Sequence, residues 1–285
     1  MKPLRAERRR RGRRRLELFW NLLFRAMRGP LAHVQNFYAA VGVFITAGAL
    51  LAIAGTWTFA TLALHVRSGA TQLFDDAILR WVAAHQLPWL RAAMLQVTAL
   101  GTGVVVVMVV AVAALFLWLT RHKHSAALLV VTTVVGIVIN SLLKDVFRRD
   151  RPAIFSSGIE VFSSSFPSGH SMSAAIVYGT VAYLAARLQR RRWSRVATVA
   201  IALLLIVLIA ASRIYLGVHY PSDTLAGLAI GFAWAAFCMA TLEAIQLIAL
   251  RRAPNALKDE EPAGEVETQR ATPSGRGRAF ARRID

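Results

Sequence analysis

The sequence has little of what a soluble enzyme or a disulfide-stabilised protein needs. Of its 285 residues only Cys238 is a cysteine, which excludes a disulfide framework and a cysteine-based metal site. Acidic residues are scarce too, because 15 Asp and Glu stand against 34 Lys and Arg, a formal net charge of +19. Charges of either sign are absent from several long stretches of a chain that is 56% hydrophobic. This pattern excludes a soluble globular enzyme and a disordered basic protein.

Six apolar segments approach or exceed the length of about 20 residues that a helix needs to cross a hydrocarbon core. A helix is expected for each, because lipid leaves the backbone groups of any other open chain unsatisfied. We therefore predict an all-α, polytopic membrane protein with six transmembrane helices, at roughly 37–64, 93–119, 125–143, 170–187, 196–212 and 223–250.

Basic residues indicate how these helices are oriented. With the N-terminus in the cytoplasm, 26 of the 34 Lys and Arg fall on the cytoplasmic side, in segments 1–28, 121–123, 187–195 and 251–285. Cytoplasmic loops collect such residues, so both termini are predicted to be cytoplasmic, in a cell inner (plasma) membrane. Membrane lipids thus account for the positive charge, and no nucleic-acid partner is expected.

The chain divides into three predicted regions. Residues 1–35 form a basic cytoplasmic segment, residues 36–250 the membrane domain, and residues 251–285 a disordered cytoplasmic tail, because large apolar residues are few there. Within the membrane domain, segment 66–92 has apolar residues at helical spacing, with Asp75, Asp76 and Arg80 on another face. It is predicted to be an outer amphipathic helix, either a connector on the bilayer or a wall of a headgroup vestibule.

The first stretch with chemical character is Lys144-Asp-Val-Phe-Arg-Arg-Asp-Arg151-Pro152, where the third span ends on the outer side. Lys144 and Arg151 are cations beside a backbone that Pro152 removes from the helix. Taken alone, the stretch also fits a helix end with basic side chains that reach for water.

The second stretch, Phe166-Pro167-Ser168-Gly169-His170, opens the fourth span. Ser168 is a candidate helix cap, and Gly169 lets the backbone approach a ligand closely. The exposed N–H groups of a helix start attract anions, and His170 lies beside them.

The third stretch, Ser212-Arg213 to Asp223, joins the fifth span to the sixth. Asp223 is expected in the first turn of the last helix, within reach of His219. A carboxylate on one imidazole nitrogen fixes the tautomer and leaves the other nitrogen able to attack. The alternative is a structural Arg–Asp pair with a capping histidine.

All three stretches fall on the outer face of the predicted topology. They supply three cations, two histidines, one carboxylate and a helix N-terminus, the groups that phosphoryl transfer through a histidine requires. No outer cluster of acidic residues and histidines suits catalytic zinc or magnesium, so neither a metal nor another cofactor is expected.

The same residues resemble the three signature motifs of the type 2 phosphatidic acid phosphatases, which share a superfamily with vanadium haloperoxidases and glucose-6-phosphatase. The matching patterns are Lys144-x6-Arg151-Pro152, Pro167-Ser168-Gly169-His170 and Ser212-Arg213-x5-His219-x3-Asp223, without substitution. The resemblance covers roughly residues 70–250.

The resemblance implies a role for each of these residues. His219 attacks phosphorus, Asp223 holds its ring, and His170 protonates the leaving group. The phosphate oxygens are held by Lys144, Arg151, Arg213, Ser168 and Gly169. The implied function is hydrolysis of a lipid phosphate or diphosphate at an outward-facing site. The alternative is a non-catalytic lipid-phosphate binding protein or transporter with the same pocket. A soluble haloperoxidase does not fit six spans.

Overall fold

The computed structural model describes residues 34–155 and 163–252, and within these ranges it is helical with no strand. The eight helices of this part of the chain are α1 Val34–Arg67, α2 Gln72–Ala84, α3 Pro88–Ala99, α4 Gly103–Leu119, α5 Lys123–Phe147, α6 Gly169–Leu188, α7 Arg192–Tyr215 and α8 Pro221–Arg252. Among the described residues, those up to Ile245 form one compact unit, and the last residues of α8, from Gln246, belong to a second. The predicted basic segment 1–35 and the tail 251–285 lie almost wholly outside the described residues and stay predictions.

Five of these helices are long and apolar enough to cross a membrane on their own. They are Gly42–Arg67 within α1, the whole of α5, α6 and α7, and Pro221–Ile248 within α8. Helices α3 and α4 qualify only as a pair, bent by 48°. Counted as one span, the pair brings the total in the described residues to six. The predicted all-α architecture with up to six spans is confirmed. The helices run a few residues past the apolar segments because helical structure continues into their polar ends.

The second span was predicted as one helix over 93–119, and this prediction is wrong. The structure has two helices, and the first starts earlier, at Pro88. Their junction includes Gly101, a weak helix former, and Thr102, whose hydroxyl donates to the carbonyl of Ala99 at 2.7 Å. The bend sets Gly101 against a histidine, since a Cβ at this position would lie 2.9 Å from Cδ2 of His170.

The outer amphipathic segment is helical, as α2, but its polar residues are not all on the solvent side. Asp75, Leu79 and Val82 form a buried face, while Leu73 is 87% exposed and Trp81 63% exposed. Sequence spacing had grouped Asp75 with Asp76 and Arg80. The structure instead turns Asp75 into the protein, where its carboxylate finds hydrogen-bond donors that offset the cost of burial.

Helices α6 and α8 pack backbone to backbone through two glycines of α8. A Cβ added to Gly227 would lie 2.6 Å from the carbonyl oxygen of Ser168, and one at Gly231 would lie 2.8 Å from that of Met172. Small residues permit such close approach between membrane helices. The N–H of Ser168 also donates to the carbonyl of Asp223 at 3.0 Å. The first turns of α6 and α8 are therefore fixed against each other.

Aromatic packing holds the residues that lead into α6. Phe166 is fully buried, with its ring centroid 4.8 Å from that of Phe147 and 5.8 Å from that of Phe59. Burial of a ring of this size stabilises the fold by about 1.5–3 kcal/mol. It anchors the neighbouring Ser165 and Ser168, which both contact the candidate site.

Candidate active site

The three motif stretches meet at one end of the helical bundle. The chain reverses between consecutive helices, so the last turns of α5 and α7 lie beside the first turns of α6 and α8. Direct contacts join the stretches. Arg151 of the first stretch donates to the carbonyl of Val218 of the third at 2.7 Å, and the N–H of Ser168 of the second donates to the carbonyl of Asp223 of the third at 3.0 Å. The candidate residues, far apart in sequence, therefore share one site.

His219 lies at the centre, with 2% of its surface exposed. Its Nδ1 is 3.6 Å from Oδ2 of Asp223 and 3.4 Å from Oγ of Ser165. Its Nε2 is 3.3 Å from Nη1 of Arg151. A guanidinium only donates hydrogen bonds, so Nε2 is the acceptor and Nδ1 carries the proton. This tautomer directs the lone pair of Nε2 toward the cations of the site.

The carboxylate of Asp223 is fully buried and held by three donors. Oδ2 accepts from the hydroxyl of Ser165 at 2.5 Å and from the N–H of Tyr220 at 2.9 Å. Oδ1 accepts from Nη1 of Arg149 at 2.6 Å. These bonds fix the plane of the carboxylate, which in turn limits the orientations available to the imidazole beside it.

Lys144 and Arg151 lie along the segment at Ser163 and Ser164. Arg151 donates from Nε to the carbonyl of Ser163 at 2.9 Å, and Nζ of Lys144 is 3.5 Å from the hydroxyl of Ser163. A cavity of about 590 Å³ opens beside them. Its lining is polar and consists of Ser141, Lys144, Asp145, Arg148, Arg149, Asp150, Arg151, Ser163 and Ser164.

Arg213 and His170 form the other side of the site. Arg213, in the last turn of α7, is 4% exposed and donates from Nη1 to the hydroxyl of Thr98 at 2.7 Å. Its buried Nε has no hydrogen-bond partner within the residues that the structure describes. His170, in the first turn of α6, is half-buried against Gly101 and within electrostatic range of Arg213 and His219.

Ser168 caps α6, as its sequence position predicted. Its hydroxyl oxygen accepts from the N–H of Ser171 at 3.5 Å and from the hydroxyl of Ser171 at 3.1 Å. The hydroxyl of Ser168 thus keeps its own proton for a different acceptor. The next residue, Gly169, lies near Lys144, because a Cβ there would be 3.8 Å from its Cε. The positive end of α6 and a lysine therefore adjoin each other.

Burial sets the protonation state of His219, which lies between two transmembrane spans. Removal from water lowers the pKa of His219 from 6.5 to about 4, although the charge of Asp223 opposes this shift. The pKa of Arg149 is raised, since the carboxylates of Asp223 and Asp75 outweigh the effect of burial. At neutral pH His219 is therefore a neutral imidazole, the form that can act as a nucleophile.

Three residues of this site were not among the predicted ones: Arg149, Asp75 and Ser165. Arg149 joins Asp223 to Asp75, and Ser165 bonds to Asp223. Arg149 lies within the first motif stretch, but no role was predicted for it. Its positive charge on the outer side, against the bias of the loops, was the available signal, but this signal did not distinguish Arg149 from its neighbour Arg148. Among the described residues, no group of three or more His, Cys, Asp or Glu is placed to hold a metal ion.

Comparison with known proteins shows what such a bundle with a cationic, histidine-containing site resembles. A family model described as the PAP2 superfamily matches residues 125–246. The chain is 32% identical over 174 residues to phosphatidylglycerophosphatase B of Bacillus subtilis, an alignment that covers 61% of this chain and 85% of the relative. It is 30% identical over 120 residues to the undecaprenyl-diphosphatase of Sulfolobus acidocaldarius, covering 40% of this chain and 53% of that protein.

The fold gives the same result. The crystal structure of the first transmembrane PAP2 type phosphatidylglycerolphosphate phosphatase from Bacillus subtilis matches with a TM-score of 0.65 and 29% identity. The match covers 68% of this chain and 96% of that one. The protein is thus a multi-pass membrane phosphatase in class. The chain belongs to the PAP2 superfamily, as the resemblance of its three motifs implied.

Proposed function

We propose that this protein hydrolyses a phosphate monoester or diphosphate of a lipid through a phosphohistidine on His219. The observation that carries the proposal is the arrangement around this one imidazole. Nδ1 adjoins the anchored carboxylate of Asp223, and Nε2 is 3.3 Å from Arg151. A neutral nucleophile held toward cations can attack a phosphorus atom whose oxygens those cations bind.

The reaction takes place in two displacements. In the first, Nε2 of His219 forms a bond to phosphorus while the bond from phosphorus to the leaving oxygen breaks. His170 gives its proton to that oxygen, and Asp223 stabilises the positive charge that develops on the imidazole. In the second, neutral His170 takes a proton from a water molecule whose oxygen attacks phosphorus. The N–P bond then breaks, and inorganic phosphate and free His219 result.

Phosphate binding falls to the cations and to the start of α6. Lys144 and Arg151 donate to the backbone carbonyls of Ser164 and Ser163 in this structure. When substrate binds, its phosphate oxygens would replace these carbonyls as the acceptors. The unpaired Nε of Arg213 offers one more donor. The Ser168 hydroxyl and the N–H of Gly169 complete the binding site at a helix N-terminus.

The substrate class is supported by the membrane setting and by the relatives. Lipid phosphates present their headgroups at the membrane surface, where the last and first turns of the spans meet. Relatives of this chain carry the names phosphatidylglycerophosphatase B and undecaprenyl-diphosphatase. Candidate substrates are therefore undecaprenyl diphosphate, phosphatidic acid, phosphatidylglycerol phosphate and lysophosphatidate. We propose further that the site faces outward from the inner membrane, on the basis of the charge bias of the loops.

The experiment is phosphate release from a panel of these four lipids by purified protein in detergent, with a chelator present. We expect turnover of at least one lipid in the chelator, and inhibition by vanadate at concentrations below those needed for phosphate. Vanadate adopts the five-coordinate geometry of the transition state, which the cationic site favours. A His219→Ala variant is the control for contaminating phosphatases.

Two results would contradict the proposal. Strict dependence on an added divalent ion, together with insensitivity to vanadate, would exclude the histidine mechanism. Lipid binding without phosphate release, equal in wild type and His219→Ala, would favour the non-catalytic binding protein or transporter.

A further inference from the structure

We propose that Arg149 is a positioning residue for the nucleophile, and that Asp75 of the outer helix α2 holds Arg149 in place. Nη1 of Arg149 lies 2.6 Å from Oδ1 of Asp223, and Nη2 lies 2.8 Å from Oδ2 of Asp75. Both carboxylates are fully buried. One guanidinium thus connects a helix outside the motif stretches to the carboxylate that orients His219. This inference rests on the proposed function.

Asp75 is itself fixed by the third motif stretch. Its Oδ1 accepts from the N–H of Ser222 at 3.0 Å, and its Oδ2 accepts from the hydroxyl of Ser222 at 2.5 Å. The same hydroxyl oxygen accepts from Nη1 of Arg149 at 2.8 Å. Ser222 immediately precedes Asp223 in the chain. The network therefore closes on itself, and a shift of Asp75 would move both Arg149 and the start of α8.

The guanidinium of Arg149 also stacks on an aromatic ring and donates to a side-chain amide. Its central carbon lies 4.0 Å from the centroid of the Tyr220 ring, and its Nη2 donates to Oε1 of Gln72 at 3.2 Å. The Gln72 amide nitrogen is in turn 3.4 Å from the Tyr220 hydroxyl. A planar fork with several donors can bridge two carboxylates and stack on a ring at once, which a lysine cannot do.

The consequence for catalysis follows from the order of contacts. Arg149 contacts Asp223, which lies beside His219, so Arg149 acts on the nucleophile through another residue. A misplacement of a reacting group by about 1 Å costs on the order of 10²-fold in rate. Both Nη atoms of Arg149 are bonded to protein groups, so its loss is expected to lower kcat more than it raises KM.

The test compares Arg149→Gln, Arg149→Lys, Asp75→Asn and the double variant Asp75→Asn/Arg149→Gln with wild type. Its matched control is Asp76→Asn, one position along the same helix, where the carboxylate pairs with the exposed Arg80 at 3.3 Å. Oδ1 of Asp76 also accepts from Nε2 of Gln72 at 2.8 Å, and the amide oxygen of asparagine keeps this bond. Phosphate release from the lipid that wild type turns over is measured in detergent, with kcat and KM determined separately. Wild-type activity is established first. If the wild type releases no phosphate, that result counts against the proposed function and not against the role of Arg149.

We expect Arg149→Gln to lower kcat about 10²-fold with KM within about threefold, because the Nη donors of Arg149 bond to protein groups and not to the phosphate. Arg149→Lys should recover part of the loss, and Asp75→Asn should lie between wild type and Arg149→Gln. Asp76→Asn should match wild type. The double variant should be no slower than Arg149→Gln alone, because two residues that act through one bridge are not additive.

The double variant also guards against misfolding, since it removes the buried charge that Arg149→Gln leaves unpaired on Asp75. If the Arg149→Gln single variant and the double variant both aggregate, the comparison of kcat between Asp75→Asn and Asp76→Asn decides. Asp75→Asn retains the pair of Arg149 with Asp223. Three results would each overturn the inference. The first is equal kcat for Asp75→Asn and Asp76→Asn. The others are a kcat of folded Arg149→Gln near that of wild type, and a loss confined to KM.

Discussion

At the scale of single residues, the question is which of the two site histidines attacks. Sequence spacing placed Asp223 four positions after His219, and the structure puts Nδ1 3.6 Å from the carboxylate. Ser165, 3.4 Å from Nδ1 and 2.5 Å from Asp223, spans that gap. No anchored carboxylate lies beside His170 among the residues that the structure describes, and its ring packs on Gly101. The two histidines therefore have distinct environments that suit distinct roles.

A His170→Ala variant should lose most activity on lipid substrates. A poor leaving group needs protonation, which general acids supply at a gain of about 10²–10⁴-fold. The loss should be much smaller for bond cleavage in a nitrophenyl phosphate, whose leaving group needs no proton. The measurement is the ratio of kcat/KM between the two substrates in wild type and variant. An equal loss on both would argue against His170 as the acid.

A second residue-scale prediction concerns the stability of the fold against pH. The pKa of His219 is near 4 in the folded protein and near 6.5 in the unfolded chain, so the unfolded chain binds its proton first as pH falls. Stability is therefore present above pH 6.5 and is lost as pH falls toward 4, by on the order of 3 kcal/mol in full.

The measurement is the thermal midpoint of unfolding in detergent as a function of pH, for wild type and for His219→Gln. Other titrating groups are common to both proteins, so the difference between the two curves isolates His219. Wild type should lose more stability than the variant as pH decreases from 6.5 to 4. Parallel curves would mean that His219 is not buried in its neutral form.

Sequence could predict the motif residues but not the residues that support them. Arg148 and Arg149 are adjacent and chemically identical in the sequence. The backbone decides between them, since Arg148 ends α5 in a left-handed conformation with φ of 44° and Arg149 then points to Asp223. Asp75 was placed on the polar face of an amphipathic helix, and only tertiary packing turns Asp75 inward while Arg80 stays exposed. Spacing along a helix does not specify what the helix meets.

At the scale of elements, the break between α3 and α4 brings the backbone at Gly101 against the side chain of His170, the proposed acid. The hydropathy of 93–119 is continuous, so the pattern predicted one helix. Gly101 and Thr102 are uncharged and did not interrupt the apolar run, although together they end α3. By contrast, the four spans at 125–143, 170–187, 196–212 and 223–250 were predicted correctly, because charged residues mark their ends, or, at residue 170, the helix-start signal of Pro167-Ser168-Gly169 does.

The break offers a matched pair of substitutions. A Cβ at Gly101 would lie 2.9 Å from Cδ2 of His170 and 2.8 Å from Cγ2 of Ile209, whereas a Cβ at Gly103 meets nothing within 4 Å. Gly101→Ala should displace the His170 ring or open the bend, at a cost of about 1–3 kcal/mol in stability. Its kcat should fall, while Gly103→Ala stays close to wild type. Thermal midpoints and kcat are the readouts, and equal behaviour of the two would show that Gly101 and His170 are not in close contact.

At the scale of the whole molecule, the proposed outward orientation of the site rests on charge and not on family membership. With 26 of 34 Lys and Arg on one side, the opposite arrangement would place the Arg190-Arg191-Arg192 run outside. That arrangement opposes the bias that sets membrane topology. The proposed site would therefore act on lipids of the outer leaflet.

Single-cysteine labelling tests this arrangement. In a Cys238→Ala background, a cysteine at position 157 should react with an impermeant thiol reagent in intact spheroplasts, and one at position 194 should not. Both should react after the membrane is permeabilised, which controls for access. Labelling of position 194 alone would place the chemistry in the cytoplasm.

The central claim, that a phosphoryl group passes through His219, is tested most directly by locating that group on the protein. His170→Ala should accumulate the intermediate, because formation from a nitrophenyl phosphate needs no acid while its hydrolysis still needs His170 as the base. The reaction is quenched in base, where an N–P bond survives, and the peptides are analysed by mass spectrometry. The account expects phosphate on His219, and none in the His219→Ala/His170→Ala double variant. Phosphate on another residue, or turnover that persists without His219, would contradict it.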